Sequence, residues 1–225
     1  MPAVDGMVIN LTASDPRNGN QMMRWDAQAE LLHPDIMVIH NALPFLSELP
    51  ADAERAAEGK DAWEPSTVIA GDSAEASYDT AHRGSSHISL SGPEVEKTST
   101  LLRLYGTMLH ACESALLQFY TADVNPFATV SKGSGWELLR YAEGTRFGRH
   151  TDVVALNPVL SQRRLSVVAF CNEDYAGGHL VFPRQGVDIT PEAGAMVVFP
   201  SGVAFPHEAE MVTRGVRYSV VTWYF

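Results

Sequence analysis

The sequence predicts an α+β fold, a jelly roll of short strands with one face buttressed by helices nearer the N-terminus, and three observations carry that prediction. One long stretch, 93–121, places apolar residues at three- and four-residue steps, the period of an amphipathic helix. Beyond Lys132 the texture changes to short strand-like runs separated by Gly, Pro and Asn. Finally, 225 residues at 45% hydrophobic and 19% charged is ordinary globular composition with enough apolar mass for one sizeable core, which excludes wholesale disorder.

The elements follow in chain order. A helix is predicted over 21–32, a buried strand over Ile36-Met37-Val38-Ile39, and a short helix starting at Pro44. The stretch 58–93 is rich in Gly, Ser, Asp and Ala, so it reads as long loops with weak strands near 67–70 and 87–90, a segment suited to a lid. In the long helix Pro93 suits the first turn, and Leu101, Leu104, Tyr105, Met108, Cys112, Ala115, Leu116 and Phe119 form its apolar stripe, with His110 solvated beside them. Strands are predicted at 136–141, 165–171, 179–182, 186–189, 195–199 and 216–225. No linker divides the chain, so residues 1–225 are expected to form a single domain, 1–132 as a helical and loop support region and 133–225 as the jelly-roll core.

Charge and cysteine usage narrow the function. Sixteen Lys plus Arg against 27 Asp plus Glu leave a net charge of −11, which disfavours nucleic acid and anionic membranes as partners. Cys112 and Cys171 lie in a helix-like and a strand-like run and make neither a zinc pair nor a disulfide framework. With no cationic leader and no run of about 18 apolar residues, a soluble, cytoplasmic protein is expected.

The chemistry concentrates at His150, Asp152, His207, Arg217 and Ser219. In extended chain residues i and i+2 share a face, so His150 and Asp152 can point at one atom. A further imidazole from a distant strand, His207, completes two histidines and a carboxylate, the facial set of non-heme Fe(II) oxygenases, with three positions left open. Arg217 sits in a nearly continuous apolar strand whose alternation places Arg217, Ser219, Val221 and Trp223 together. A buried guanidinium demands an anion, and with a hydroxyl beside it the match is a carboxylate, each charge-assisted bond contributing roughly 1.5–3 kcal/mol. Two other readings remain open on these residues: a zinc-dependent hydrolase on the same triad, which leaves Arg217 without a task, and a non-catalytic jelly-roll binding protein, which an intact triad argues against.

The runs Tyr141-Ala-Glu-Gly-Thr-Arg-Phe-Gly-Arg-His150-Thr-Asp152, Arg163-Arg-Leu-Ser166-Val-Val-Ala-Phe-Cys-Asn172, Tyr175-Ala-Gly-Gly178, His207-Glu208 and Gly215-Val-Arg217-Tyr-Ser-Val-Val-Thr-Trp223 resemble the prolyl 4-hydroxylase-like branch of the Fe(II)/2-oxoglutarate-dependent dioxygenases. The resemblance implies a double-stranded β-helix of the cupin kind, with Fe(II) on His150, Asp152 and His207. It further implies 2-oxoglutarate with its distal carboxylate on Arg217 and Tyr141, Ser219 lining the same site, O2 as co-substrate and ascorbate as an optional reductant. The reaction implied is hydroxylation of an unactivated C–H bond with release of succinate and CO2. The substrate would be a small molecule, a free amino acid, or a peptide carrying a prolyl or other residue. Related halogenases lack the carboxylate that Asp152 supplies, so hydroxylation is the expected outcome. His179 departs from the acidic residue common after the double glycine, and Trp223 stands where nucleic-acid demethylases carry a second arginine. Arg163, Trp136, Arg83 and Asp79 border the expected barrel mouth as weaker candidates for substrate contact.

Overall fold

A computed structural model describes residues 6–60, 62–68, 79–91, 99–121, 130 and 133–225, with the side chains of 114–116, 118 and 119 excepted. In chain order the strands are β1 (Met7–Asp15), β2 (Gln21–His33), β3 (Ile36–His40), β4 (Glu64–Pro65), β5 (Ser86–Ser89), β6 (Glu137–Tyr141), β7 (Phe147–His150), β8 (Leu165–Phe170), β9 (Ala176–Gly177), β10 (Leu180–Phe182), β11 (Val187–Ile189), β12 (Met196–Pro200), β13 (His207–Ala209), β14 (Val212–Arg214) and β15 (Arg217–Tyr224). The α-helices are α1 (Leu49–Ala57), entered through the 3₁₀ turn Pro44–Glu48, and α2 (Thr100–Phe119).

The larger sheet has nine strands in the order β1-β2-β3-β12-β8-β15-β6-β5-β4, and four more, β11-β10-β13-β7, make the smaller one. Every pairing in both is antiparallel. Two facing antiparallel sheets with crossovers between them are the double-stranded β-helix that the sequence predicts.

The central strands β8, β12 and β15 are buried on both faces, which explains their unbroken apolar runs. Alternation divides each between two cores. Phe170, Val197 and Phe199 point between the sheets onto Leu180, Phe182, Val187 and Ile189. Val167, Ala169, Met196, Val198 and Val220 point the other way, onto Leu102, Tyr105, Met108, Leu109 and Cys112 of α2 and onto Leu49 and Ala53 of α1. Each such side chain taken from water stabilises by about 1.5–3 kcal/mol. α2 can approach this closely only because Gly106 has no side chain: a Cβ there would lie 1.9 Å from the Leu90 carbonyl oxygen.

Three differences from the sequence reading matter. Residues 21–32, predicted as a helix, form β2. Their helix-forming composition is overridden by pairing on both edges, to β1 and β3. The inward positions Met23, Trp25, Ala27, Ala29 and Leu31 in fact alternate at period two, and Ala27 and Ala29 are small because the helical layer packs on them. The support region is therefore a strand hairpin plus helices rather than helices and loops. Second, the apolar stripe of α2 is rotated from the one expected: Leu102 and Leu109 are buried, while Leu101 and Leu104 sit half-buried at its flank. Pro93 and the side chains of Ala115, Leu116 and Phe119 lie outside the described residues. Third, the expected lid over 58–93 lies partly outside them as well; its described parts include β4, a bridge at Val68 and β5, while 69–70 of the strand expected over 67–70 lie outside the described residues.

Candidate active site

His150 ends β7 and His207 begins β13, and the two face each other directly in the antiparallel register. Their rings lie 4.3 Å apart between centroids. Asp152 follows β7 in a bend rather than in extended strand, yet its carboxylate lies 3.7 Å from the Nε2 of His150 and 3.7 Å from that of His207. One ligand atom from each of the three residues can be chosen so that all lie within 4.8 Å of one another, a spacing a single cation can span.

The surroundings fix these groups. The Nδ1 of His150 lies 2.9 Å from the Gly148 carbonyl oxygen, and that of His207 lies 3.2 Å from the Phe205 carbonyl oxygen. Each Nδ1–H therefore donates to the main chain two residues back, and each Nε2 keeps its lone pair for a cation. Ser166 donates to Asp152 at 2.6 Å, and its oxygen lies 2.7 Å from that of Ser201. Phe147 stacks on His150 at 3.5 Å. Burial lowers the His207 imidazole to about 4, with His150 adding to the effect, so it is neutral, the form that ligates metal. Burial would raise the Asp152 carboxyl, but His207, His150 and the Ser166 hydroxyl outweigh it and hold the group below the usual carboxylate range. Two imidazoles, each with Nε2 free of main-chain partners, beside an ionised carboxylate suit a divalent cation with borderline N/O preference.

The second half of the site stands on the opposite sheet. Arg217 opens β15 directly across from Tyr141 of β6, with its guanidinium 5.0 Å from that ring and 5.3 Å from Phe170. It is 2% exposed, and its Nε and Nη1 have no hydrogen-bond partner among the described residues. Nor does a carboxylate there lie within ion-pair distance, so the guanidinium is not an arginine satisfied by an internal acid. The hydroxyls of Ser219 and Tyr175 are likewise buried without partners. Tyr175 stands against Arg217: a Cβ on Gly178 would touch the ring of one at 3.1 Å and Cδ of the other at 3.3 Å. Burial raises the Tyr175 phenol, with Arg217 opposing, so it remains a protonated donor. Donors left unpaired in a dry interior cost about 1–3 kcal/mol each, more for a cation, and a bound carboxylate would satisfy them together. One cavity joins the halves, lined by His150, Asp152 and His207 and by Tyr141, Arg217 and Ser219.

The weaker candidates separate. Arg83 and Arg163 line the cleft leading to this cavity. Trp136 is buried in the helix-facing core and donates to Glu113, while Asp79 is exposed and caps the turn at Ala81 and His82. His179 pairs with Asp188 at 2.8 Å outside the cavity, and His110 is exposed beside Glu113. Sequence reasoning missed Ser166, Ser201 and the hydroxyl of Tyr175. A serine inside the apolar run of β8 was a usable signal, because a buried hydroxyl must find a partner; the signal in Tyr175 lay only in its nearness to the double glycine.

Residues 136–225 match the family model described as the 2OG-Fe(II) oxygenase superfamily. A PKHD-type hydroxylase of Picosynechococcus sp. is 37% identical over 90 residues, 37% of this chain and 38% of the relative. Prolyl 3-hydroxylase 2 of Rattus norvegicus is 33% identical over 72 residues, 30% of this chain and 10% of the relative. The match thus spans well under half the length of either relative. Among solved structures, a Trichoplax adhaerens prolyl hydroxylase in complex with a hypoxia inducible factor peptide fragment superposes with a TM-score of 0.68 at 20% identity, covering 85% of this chain and 84% of that one. A Pseudomonas putida prolyl-4-hydroxylase gives 0.61 at 22% identity, covering 84% and 91%. The double-stranded β-helix is thereby shared.

Proposed function

We propose that this chain, a prolyl 4-hydroxylase-like 2-oxoglutarate oxygenase by the pattern of its last ninety residues, hydroxylates an unactivated C–H bond with His150, Asp152 and His207 holding Fe(II) and Arg217 holding the co-substrate. The observation that carries the reading is the buried, unpaired Arg217 guanidinium lining one cavity with the triad. A zinc hydrolase needs the three ligands and has no use for that cation; a non-catalytic jelly roll needs neither.

When bound, ferrous iron with 2-oxoglutarate and O2 supplies the oxidising power to insert one oxygen atom into a C–H bond, the other leaving in succinate as CO2 is released. The chain's own residues bind, orient and exclude water. Both imidazoles are held in one tautomer by main-chain carbonyls, so no reorganisation is needed before a cation is gripped. Asp152, fixed by Ser166, supplies the anionic ligand. Arg217, Ser219 and Tyr141 form a polar end wall for the distal carboxylate of 2-oxoglutarate, with Tyr175 packed behind them against Tyr141 and Val212. Leu139, Val168, Leu180 and Val221 are the apolar sides that keep the interior dry and fix the acid's direction. The substrate belongs to the amino-acid or peptide class, a prolyl or other residue or a free amino acid, and ascorbate serves as an optional reductant. One domain spans residues 1–225. A cytoplasmic setting without nucleic-acid partners accords with the charge of −11, and no described helix is long and apolar enough to cross a membrane.

The test is an anaerobic titration with Fe(II) and then 2-oxoglutarate. A visible charge-transfer band that appears only with both supports the assignment. A colourless protein that hydrolyses esters or amides with Zn(II), or one that binds neither ligand, sinks it.

A further inference from the structure

We infer that the mouth of this site holds a carboxylate of the substrate between Arg83 and Arg163. The inference rests on the function proposed above and adds the chemical class of what enters. The two side chains approach the metal triad from different elements, and each is pinned. Arg83 donates from Nη1 to the Thr67 carbonyl oxygen at 2.8 Å and from Nε to Ser85 at 3.3 Å, and lies 4.5 Å over the Phe147 ring. That ring stacks on His150. Arg163 lies 3.8 Å over Trp223 and donates from Nη1 to the Asp152 carbonyl oxygen at 3.3 Å, while its buried Nε has no partner. One guanidinium thus stands a single ring away from His150, and the other a single peptide away from Asp152.

The charges around the cleft leave these two uncompensated. Among the described residues neither has a carboxylate within ion-pair distance. Arg149, the third arginine of the cleft, lies 3.6 Å from Glu208. Of the acids lining it, Asp152 belongs to the triad, and Glu137 alone remains to set against Arg83 and Arg163. His87 is 4.0 Å from Glu64, and His82 packs edge-on against Phe147. Both arginines line one cleft together with Phe147 and Trp223, the rings they lie over. A local surplus of positive charge on a chain of net −11 runs against the molecule's average. Planar forks stacked on rings match a carboxylate, and forks already ordered lose little freedom on binding it. The lining includes Val154, Leu160 and Val203, so apolar surface is available for the rest of the molecule. A carboxylate can be the α-carboxylate of a free amino acid or an acidic side chain within a peptide, and the experiment separates the two.

The wild-type protein is first loaded anaerobically with Fe(II) and 2-oxoglutarate. Formation of the charge-transfer band tests independently the iron and 2-oxoglutarate binding on which the proposed function rests; its failure would sink that function and this inference with it. The loaded protein is then titrated with the free L-amino acids and their primary amides, and with end-capped peptides bearing Asp or Glu or their Asn and Gln counterparts. Binding is followed by the shift of the band and by the intrinsic tryptophan fluorescence, to which Trp223 of the cleft contributes. We expect an acid in one of the two sets to bind at least tenfold tighter than its amide. Arg83→Gln and Arg163→Gln should each raise that acid's Kd about tenfold and bring the acid-to-amide ratio close to one, whereas loss of structure would weaken acid and amide alike. A band that forms while acids and amides bind equally, or while no acid of either set binds, overturns the inference without any variant. A ratio that survives both substitutions overturns it too.

Discussion

At the scale of single residues, the hydroxyl of Ser166 decides how firmly Asp152 is aimed. It donates to the carboxylate at 2.6 Å and is itself met by Ser201 at 2.7 Å, so removing it frees the carboxylate to turn and strands a second buried hydroxyl. Outer-shell losses of this kind cost about 10- to 100-fold in metal affinity. We expect Ser166→Ala to weaken Fe(II) or Co(II) binding by at least about tenfold, read by competition with a chelating dye; an unchanged affinity would show that Asp152 is held by its backbone alone. For Arg217 the expectation divides in two. Arg217→Met removes charge-assisted bonds contributing roughly 1.5–3 kcal/mol each and should lower 2-oxoglutarate affinity by at least about 100-fold, with metal affinity within about threefold. Because the guanidinium has no partner among the described residues, the same substitution should leave the melting temperature of the ligand-free protein unchanged or raised. A drop in metal affinity equal to that for the acid would contradict the division of labour. Arg217 and Ser219 could be placed on one face from sequence because alternation in an unbroken apolar strand is a strict rule. Asp152 was reached by the same rule although the strand ends at His150: a bend, which spacing does not encode, brings its carboxylate round.

Among the elements, α2 makes the strictest demand on sequence. It passes so close to the end of β5 that a methyl at Gly106 would meet a main-chain oxygen, which no rotamer change relieves. We expect Gly106→Ala to destabilise by about 3 kcal/mol in urea unfolding, overpacking winning over the roughly 1 kcal/mol that Ala gains in helix propensity. A stabilised variant would mean that the helix can slide. The join between β3 and its neighbours carries a pH dependence. His40, at the end of β3, lies 3.0 Å from Glu30 of β2 and 2.7 Å from Glu192 before β12. Burial lowers the imidazole, but the two carboxylates outweigh it and leave it raised. A raised pKa means stability present below the unfolded value near 6.5 and lost as pH climbs through the folded one. The side chain is 35% exposed, so solvent screens the pair and the effect stays below about 1 kcal/mol. His40→Gln should therefore lower stability at pH 5.5 and have almost no effect at pH 9; the reverse order would refute the linkage. β2 is where element-level reading failed, since Gln, Met, Ala, Glu and Leu favour a helix in isolation and only the long-range pairing to β1 and β3 makes them a strand. The short strands β7 and β13 were reached only through the histidines they carry, and β14 not at all, because three or four residues hold too little pattern to register.

For the whole molecule, a cation and an acid that bind only the folded chain must raise its stability. Saturation at about 100 times Kd corresponds to roughly 2.7 kcal/mol. At about 2–4 °C per kcal/mol for a chain of this size, Fe(II) with 2-oxoglutarate under argon should raise the melting temperature by roughly 5–10 °C, and excess chelator should reverse it. No shift would mean that the cavity is not a binding site. The jelly roll itself was legible because punctuation by Gly, Pro and Asn is local, whereas the pairing that carries β1–β3 onto the same sheet as β15 runs through β3 and β12 and sets Ile39 against Met196, far apart in the chain and beyond what local pattern conveys. The facing histidines belong to the smaller sheet and Arg217 with Tyr141 to the larger, with Leu139, Ala209, Val212 and Val221 packed between the two. The span from cation to imidazoles is thus set like the jaws of a calliper, by the thickness of hydrocarbon between two plates. Trimming one of those fillers would recalibrate which length of diacid the instrument accepts, with every polar contact left in place.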